Sequence, residues 1–451
     1  MDRSSNGLGW LGIVRLGCVQ TALGAIVVLT TSTLNRVMVV EIALPAMLPG
    51  ALVALHYFVQ LSRPRFGYGS DTGKRRTPWI IGGIATLGAG GILAAAATAL
   101  MAVEPAAGIA LAVVAFVLIG AGVGASGTCL LVLLASTVHP ERRAAAASIT
   151  WIMMIAGFAV TAGVAGAFLD PFSYFRLIAV ATVVALVALT MTIAALSGLE
   201  RRHATAIAAP AAAMQSDAGP GFGEALREVL NEPGTRRFAA FVFVSMLAYS
   251  AQDLVLEPFA GAVMGLTPGQ STQLGGMQHG GVLLGMLAVA LLARLAGNGS
   301  VGLLRRVMIG GCLGSALLLL ALAAAGFSNG QWPLSATVFV LGLCNGIFAV
   351  AAIACMMGLV SSGREGRDGT RMGVWGAAQA IAFGLGGIAG TAVVDVTRYL
   401  SGSTLYAYAI VFIAQALLFA CAALLAARLT RTFRSAMTAP KTALGMEPGP
   451  V

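Results

Sequence analysis

Two carboxylates stand four residues apart in the stretch QDLVLEP, where Asp253 and Glu257 interrupt a long apolar run. On a helix this spacing places both side chains on one face. A charged side chain in the middle of a bilayer costs at least about 2.5 kcal/mol, so this face is expected to contact protein or water. Such acids can close an ion pair, bind a proton or another cation, or contact a pigment or polypeptide. The sequence leaves these three interpretations open.

A basic partner lies at the same depth in the first apolar run. Counting about 1.5 Å per residue from Arg15 and from Arg237 brings Arg36 level with the two acids. The simplest prediction is an ion pair of Arg36 with Asp253 or Glu257 that closes the outer rim. The predicted outer-rim polar cluster is Asn35, Arg36, Glu41, Gln252, Asp253 and Glu257.

Two histidines fall inside apolar runs, His56 and His279. A neutral imidazole is a good axial ligand for the metal of a macrocycle, so both are candidate pigment ligands. His279 lies in GGMQHGG, whose glycines would leave a flat groove beside the ring. Glycines are equally common where helices pack closely, and a buried histidine with a polar partner is the alternative in both cases. The Gln278 amide is a further candidate ligand for a pigment magnesium.

The amino-acid composition indicates which class of protein structure holds these residues in place. Of 451 residues, 58% are hydrophobic and 10% charged, and the mean hydropathy is +0.90, values that exclude a soluble domain and indicate a polytopic helical membrane protein. The net charge of +10 predicts no nucleic-acid partner, because the basic residues cluster in loops. None of the six cysteines has CxxC spacing, so no disulfide or metal site is expected.

Twelve apolar runs are long enough to cross a membrane, which predicts an all-α integral membrane protein with twelve transmembrane helices. All Lys and Arg except Arg36, Arg176 and Arg398 fall on one side, so both termini are predicted to be cytoplasmic. The runs lie at 15–38, 43–61, 79–102, 109–135, 145–169, 176–198, 237–264, 272–294, 305–326, 333–360, 373–396 and 404–427.

An internal repeat divides the chain into two six-helix halves. Gly67, Ser70 and Arg75 recur as Gly297, Ser300 and Arg305, and Trp151 recurs as Trp375. Parallel repeats of six spans are typical of the major facilitator fold. The predicted domains are a first half (1–198), a cytoplasmic linker (199–236), a second half (237–430) and a disordered tail (431–451).

The loop GYGSDTGKRR after the second run resembles the signature that the major facilitator superfamily carries there, although its second glycine comes one residue early at Gly73. An acid among bases at helix ends can cap a helix and hold an inward gate closed. The alternative is a solvated loop that only sets topology. The predicted cytoplasmic gate loop is Gly67, Asp71, Arg75, Arg76, Arg142 and Arg143.

Three stretches resemble one family within that superfamily. TLNRVMVVEIALP, QDLVLEPFAGAVMG and MGVWGAAQAIAFGLGG are similar to segments of the PucC/LhaA family of light-harvesting complex assembly proteins. The resemblance implies a membrane assembly factor for bacterial antenna complexes that binds or delivers bacteriochlorophyll. The partners that it implies are antenna polypeptides, bacteriochlorophyll or its biosynthetic machinery, and membrane lipids. The location that it implies is the inner, photosynthetic membrane, which the chain crosses several times.

Two other functional classes, an enzyme and a transporter, are the alternatives for a polytopic membrane protein. An enzyme is not expected, because the spans contain no Ser-His-Asp set, no HExxH and no DDxxD-type diphosphate site. A proton-coupled small-molecule transporter of the major facilitator type is the alternative. A solute transporter usually carries several polar residues at mid-depth, whereas these spans are nearly uncharged there and carry acids at the outer rim. This favours an apolar ligand.

Overall fold

Long helices account for the fold because a backbone in lipid must satisfy its hydrogen bonds within each spanning segment. The computed structural model describes residues 8–63, 65–66, 70, 75–139, 142–202, 231, 233–295, 301–328, 331–362 and 368–428. These residues contain eleven helices that are long and apolar enough to cross a membrane and a shorter apolar one, Met47–Ser62.

Twelve apolar helices follow one another along the described residues, as predicted. The first half contains α1 (Trp10–Glu41), α2 (Met47–Val59, continued by a 3-10 turn, Gln60–Ser62), α3 (Thr77–Met101), α4 (Pro105–Thr137), α5 (Arg143–Leu169) and α6 (Tyr174–Leu196). The second half contains α7 (Pro233–Ala262), α8 (Pro268–Leu295), α9 (Val301–Ala325), α10 (Leu334–Ser362), α11 (Asp368–Ser401) and α12 (Thr404–Arg428).

The second helix begins later than the apolar run suggested. The run starts at residue 43, but Ala43 has a φ of 59°, which no continuous right-handed helix contains. Pro45 follows, and α2 starts only at Met47. Hydropathy cannot register this break, because the turn residues are themselves apolar.

Each half packs around its own core. In the first half, Leu87, Phe116 and Ile119 belong to one buried cluster, and in the second half Phe241 and Phe412 belong to another. The halves meet where α1, α2 and α5 face α7, α8 and α11, with α5 against α8 and α2 against α11. Most of the predicted linker and the whole of the predicted tail lie outside the described residues, so the domain boundaries stay predictions.

The helix α1 is not a regular α-helix along its whole length. Leu29–Thr33 and Val37–Glu41 are π-helical, with hydrogen bonds from residue i+5 to residue i, and the three residues between them are α-helical. Single π-turns inside helices occur frequently at functional sites. These two turns bracket Asn35 and Arg36, and they determine where both side chains point.

Candidate functional site

The predicted outer-rim cluster lies at one end of the bundle, which we call the Arg36 end. This end includes the end of α1 and the turns that join α1 to α2, α3 to α4, α5 to α6, α7 to α8, α9 to α10 and α11 to α12. The opposite end, where α3 begins, is called the Arg76 end.

Arg36 is almost fully buried, with 2% of its surface exposed. Its Nη1 donates to Glu41 Oε1 and its Nη2 donates to the carbonyl of Leu266 at 2.7 Å, a contact that ties α1 to the α7–α8 turn. The sequence prediction of a direct ion pair with Asp253 or Glu257 was therefore wrong in its partner. The reason is the π-turn at Val37–Glu41, because i+5 bonding brings Glu41 back over Arg36.

Glu257 is the least satisfied charged group of the cluster. It is 2% exposed, and neither carboxylate oxygen has a hydrogen bond of normal geometry from any described residue. Arg36 and the Thr272 hydroxyl are near enough to act on it electrostatically. The carboxylate lies over Gly275 of α8, where an added Cβ would come within 2.6 Å of Oε1.

The second acid, Asp253, has a different environment from Glu257. It is half-buried and acts electrostatically on Tyr57 of α2 and on Tyr249, one turn earlier on α7. Tyr57 in turn packs against Phe383 of α11, with ring centroids 5.4 Å apart. Asp253 therefore lies between the halves among aromatic rings.

The two amides of the predicted cluster separate. The Asn35 Nδ2 donates to the Leu254 carbonyl at 2.7 Å and so joins α1 to α7. Gln252 points away into the second half, where its Oε1 accepts from Asn345 Nδ2 at 3.1 Å and Asn345 accepts from Ser315 at 2.8 Å. Only Asn35 thus contributes to the contact between the halves.

Two further carboxylates at the Arg36 end cap helices of the opposite half. Asp170, after α5, accepts from the Gly269 amide at 3.1 Å and from the Thr267 hydroxyl at 2.6 Å, at the start of α8. Asp395, on α11, accepts from the amides of Ala46 and Met47 at 3.0 and 2.7 Å, at the start of α2. A carboxylate on the free amides of a helix N-terminus is a favourable contact.

Sequence reasoning missed this pair of caps. It singled out neither acid as a cap, and Asp395 also forms an ion pair with Arg398 at 3.3 Å. Each acid lies at or near the end of a span that precedes a short turn. This position was the signal in the sequence that could have indicated a helix cap.

His56 is enclosed by its own polar partners. Its Nδ1 lies 3.1 Å from the Val53 carbonyl and its Nε2 lies 2.9 Å from Gln60 Nε2, while Arg63 donates to Gln60 Oε1. Because an amide nitrogen can only donate, His56 Nε2 accepts this bond, and Nδ1 carries the proton. Neither ring nitrogen is left for a metal.

His279, on α8, packs against α5. It is 5% exposed, its ring meets Phe158 edge-on at 5.0 Å, and its Nδ1 has no partner among the described residues. Two of the glycines around it are in close helix contacts, since a Cβ at Gly276 would lie 2.8 Å from Gly163 N and one at Gly281 would lie 2.1 Å from Phe339 O, whereas a Cβ at Gly280 would meet nothing within 4 Å. The predicted groove is therefore occupied by α5 and α10 beside Gly276 and Gly281, which disfavours a macrocycle there, and pigment ligation by His279 stays a prediction. The Gln278 side chain, 3% exposed, is buried as well.

The predicted gate loop is only partly described. Gly67 and Asp71 lie outside the described residues. Arg142 stacks over the Trp10 ring at 5.5 Å, and Arg143 donates to the Val138 carbonyl at 3.2 Å. Both arginines therefore hold the Arg76 end of α4 and α5 to local partners.

The carboxylate that caps a helix at the Arg76 end is Glu200, which the sequence analysis missed. It accepts from the amides of Arg76 and Thr77 at 2.6 and 2.9 Å, at the start of α3. Burial alone would raise the pKa of Glu200, but hydrogen bonds from the Thr77 hydroxyl and both amides, with the charge of Arg75, outweigh burial and lower it.

A groove of about 350 Å³ opens on the surface between α3 and α4, near the Arg76 end. Trp79 and Phe66 form its aromatic wall, and Gly82, Gly83 and Ala125 form part of its floor. A second cleft, between α1 and α6, is hardly wider than one water molecule. Among the predicted site residues that the structure describes, none lines either of these two cavities.

Comparison with known proteins gives one family over nearly the whole length. The family profile described as "PUCC protein" matches residues 33–433. The "Bacteriochlorophyll synthase 44.5 kDa chain" of Rhodobacter capsulatus is 53% identical over 420 residues, which cover 93% of this chain and 95% of that protein. "Protein PucC" of the same organism is 29% identical over 395 residues, covering 83% and 81%. The crystal structure of a D-xylose-proton symporter has a TM-score of 0.63 at 15% identity, covering 90% of this chain and 96% of that one.

Proposed function

The chain belongs to the PUCC protein family, and on that premise we propose that it is an assembly factor for bacterial light-harvesting antenna complexes. In this role it binds or delivers bacteriochlorophyll and contacts antenna polypeptides in the inner, photosynthetic membrane. The observation that carries the proposal is the family match over residues 33–433, supported by a 53% identical relative whose name refers to bacteriochlorophyll. The Arg76 end faces the cytoplasm in this proposal, because most basic residues lie there.

The packing disfavours the two histidines as pigment ligands. Both nitrogens of His56 are engaged, and Gly276 and Gly281 near His279 contact neighbouring helices, although Gly280 does not. In this proposal a bound bacteriochlorophyll lies elsewhere on the chain or requires α5 and α8 to separate. We expect no bacteriochlorophyll synthase chemistry, since the motifs of a prenyl transfer site are missing from the sequence.

The test is the absorption spectrum of the protein purified in mild detergent from its photosynthetic membrane. Near-infrared absorbance that co-purifies with the chain in a fixed ratio supports pigment binding. A His279→Leu variant is expected to keep the same pigment content and band position, and loss of the band with an intact fold would reinstate His279 as the ligand. Pigment-free protein, from membranes whose antenna complexes stay intact, would contradict stable binding.

A second candidate function, a proton-coupled small-molecule transporter, is favoured by one observation, the buried and unsatisfied Glu257. The likeness to the xylose–proton symporter shows the fold alone and adds no substrate. Deleting the gene and measuring assembled antenna complexes separates the two. The assembly function is supported if antenna complexes are lost while antenna transcript levels and solute content stay unchanged. The transport function is supported if the solute content changes while antenna complexes stay normal.

A further inference from the structure

A buried acid without a committed counterion lies where α1, α7 and α8 meet. Glu257 is 98% buried, and its carboxylate has no normal hydrogen bond from the described residues. An ionised carboxylate removed from water and left without partners is among the costliest groups a protein can bury. The geometry around Glu257 therefore suits the neutral acid.

The charges that face Glu257 from the packed helices act in opposite directions. From α1 comes Arg36, whose charge favours the ionised acid, but its Nη groups are already bonded to Glu41 and to the Leu266 carbonyl, and only its Nε has no partner among the described residues. From its own helix comes Asp253, whose charge opposes a second charge nearby. From α8 come the Thr272 hydroxyl and Gly275, which are neutral, and Thr272 is in hydrogen-bond contact with Thr33 of α1 at 3.2 Å.

A short movement would connect Arg36 to Glu257. The guanidinium lies on Gly261, where an added Cβ would be 2.8–3.0 Å from its atoms. Gly261 is one helical turn after Glu257, so the two positions share a face of α7. Arg36 therefore contacts α7 about one turn, roughly 5 Å along the helix axis, from the position that carries the acid.

We propose that Glu257 is a proton-binding site, and that its bound proton lets Arg36 remain on Glu41 and Leu266 and keep the Arg36 end closed. When Glu257 releases this proton to water, the carboxylate attracts the guanidinium and Arg36 leaves the Leu266 carbonyl. That carbonyl joins α1 to the α7–α8 turn, so its release loosens the contact between the halves. The inference does not depend on what the protein carries or assembles.

The proton itself is tested by infrared spectroscopy of the purified full chain. At neutral pH the carbonyl-stretch band of a protonated carboxylic acid is expected, and Glu257→Gln is expected to lose intensity from it. Glu104→Gln is the matched control, because Glu104 is exposed at the same end of the bundle and its removal should leave the band unchanged. A band that Glu257→Gln leaves unaltered would overturn the site.

A second variant tests the same proton-binding site if Glu257→Gln fails to fold. Thr272→Val removes the hydroxyl that faces the acid and keeps the side-chain shape. It is expected to shift the frequency of the carboxylic acid band without abolishing it. An unshifted band would place the protonated acid elsewhere and contradict the proposal.

The link to closure is tested by a distance measurement across the Arg36 end. Spin labels on Val103→Cys and Tyr399→Cys, 80% and 88% exposed and in opposite halves, report separation once the six native cysteines are replaced. Alkaline pH is expected to lengthen the distance in the otherwise native chain, and Glu257→Gln is expected to keep it short at every pH. Equal pH responses of the two proteins would disprove the coupling.

Discussion

Arg36 makes a buried polar contact between the halves. It is buried at the end of α1, with one η-nitrogen on Glu41 and the other on a backbone carbonyl across the interface. A buried guanidinium is tolerated when acceptors receive its hydrogen bonds. Removing either the guanidinium or its carboxylate partner destabilises the fold, because the remaining charge is then buried without a partner.

Arg36→Ala is therefore expected to lower the free energy of unfolding strongly, by about 3–5 kcal/mol. Glu41→Gln should lower the free energy of unfolding by less, because about a third of the Glu41 side chain is exposed and water can hydrogen-bond to it. The double variant should lose about 1–3 kcal/mol less than the sum of the single losses. Denaturant unfolding in detergent micelles measures all three values.

The control for this cycle is Asp253. Arg36→Ala combined with Asp253→Asn should give additive losses, because no ion pair joins these two side chains in the structure. Strong coupling to Asp253, together with additive losses for Glu41, would restore the pairing that the sequence suggested.

Glu200 provides a pH-dependent prediction at the other end. Its pKa is lowered from 4.5 in the folded protein, so its caps on α3 add stability above that pH, and this stability is lost as the pH falls through the folded value. Glu200→Gln should lower the thermal unfolding temperature at neutral pH and make little difference well below pH 4.5. The exposed Glu104→Gln serves as the control, and a pH-independent loss for Glu200→Gln would contradict the assignment.

At the scale of elements, two helix starts at the Arg36 end are held by acids of the opposite half. Asp170 caps α8 and Asp395 caps α2, so each half supplies an acid to the first turn of a helix in the other. Opening the Arg36 end must break both caps. A single cap contributes about 0.5–2 kcal/mol.

Asp170→Ala and Asp395→Ala are each expected to raise the accessibility of the Arg36 end slightly, and together to raise it markedly. The measurement is the rate at which an impermeant thiol reagent labels Thr33→Cys, a position with 1% exposure in the closed structure. Arg398→Ala is the matched control, since it removes the ion partner of Asp395 and leaves the cap. Unchanged labelling in the double variant would exclude a closing role for the caps.

The same elements explain what the sequence could and could not predict. Helix positions followed from apolar runs, because lipid permits little else. The α2 start was missed, since Ala43 and Pro45 form a turn from apolar residues. The Arg36 partner was missed because depth was counted on an ideal α-helix, whereas two π-turns change the direction of the side chains in α1.

The glycines near His279 show a related limit. GGMQHGG is compatible with a pigment groove or with close helix packing, and only the positions of α5 and α10 decide between them. Long-range caps such as those by Asp170 and Asp395 likewise depend on which helix ends meet in space. Sequence identifies the acids but not their partners.

At the scale of the whole molecule, the Arg36 end uses each of its few basic residues structurally. Arg36 is buried, Arg398 contacts Asp395, and Arg176 donates to the Asp170 carbonyl at 2.7 Å. An end with so few basic residues is favoured for translocation, because the positive-inside rule depends on their number. This strengthens the expectation that the Arg36 end faces the periplasm.

The topology is therefore predicted to place both termini and the 199–236 linker in the cytoplasm. A cysteine at Ser216, in the linker and outside the described residues, should resist an impermeant maleimide in intact cells and react after the inner membrane is permeabilised. Ala102→Cys, exposed in the α3–α4 turn at the Arg36 end, should react in intact cells. Both measurements use a chain without its native cysteines. Labelling of the Ser216 position from outside would reverse the orientation, and with it the side of the membrane on which Arg36, Glu41 and the two helix caps close the protein.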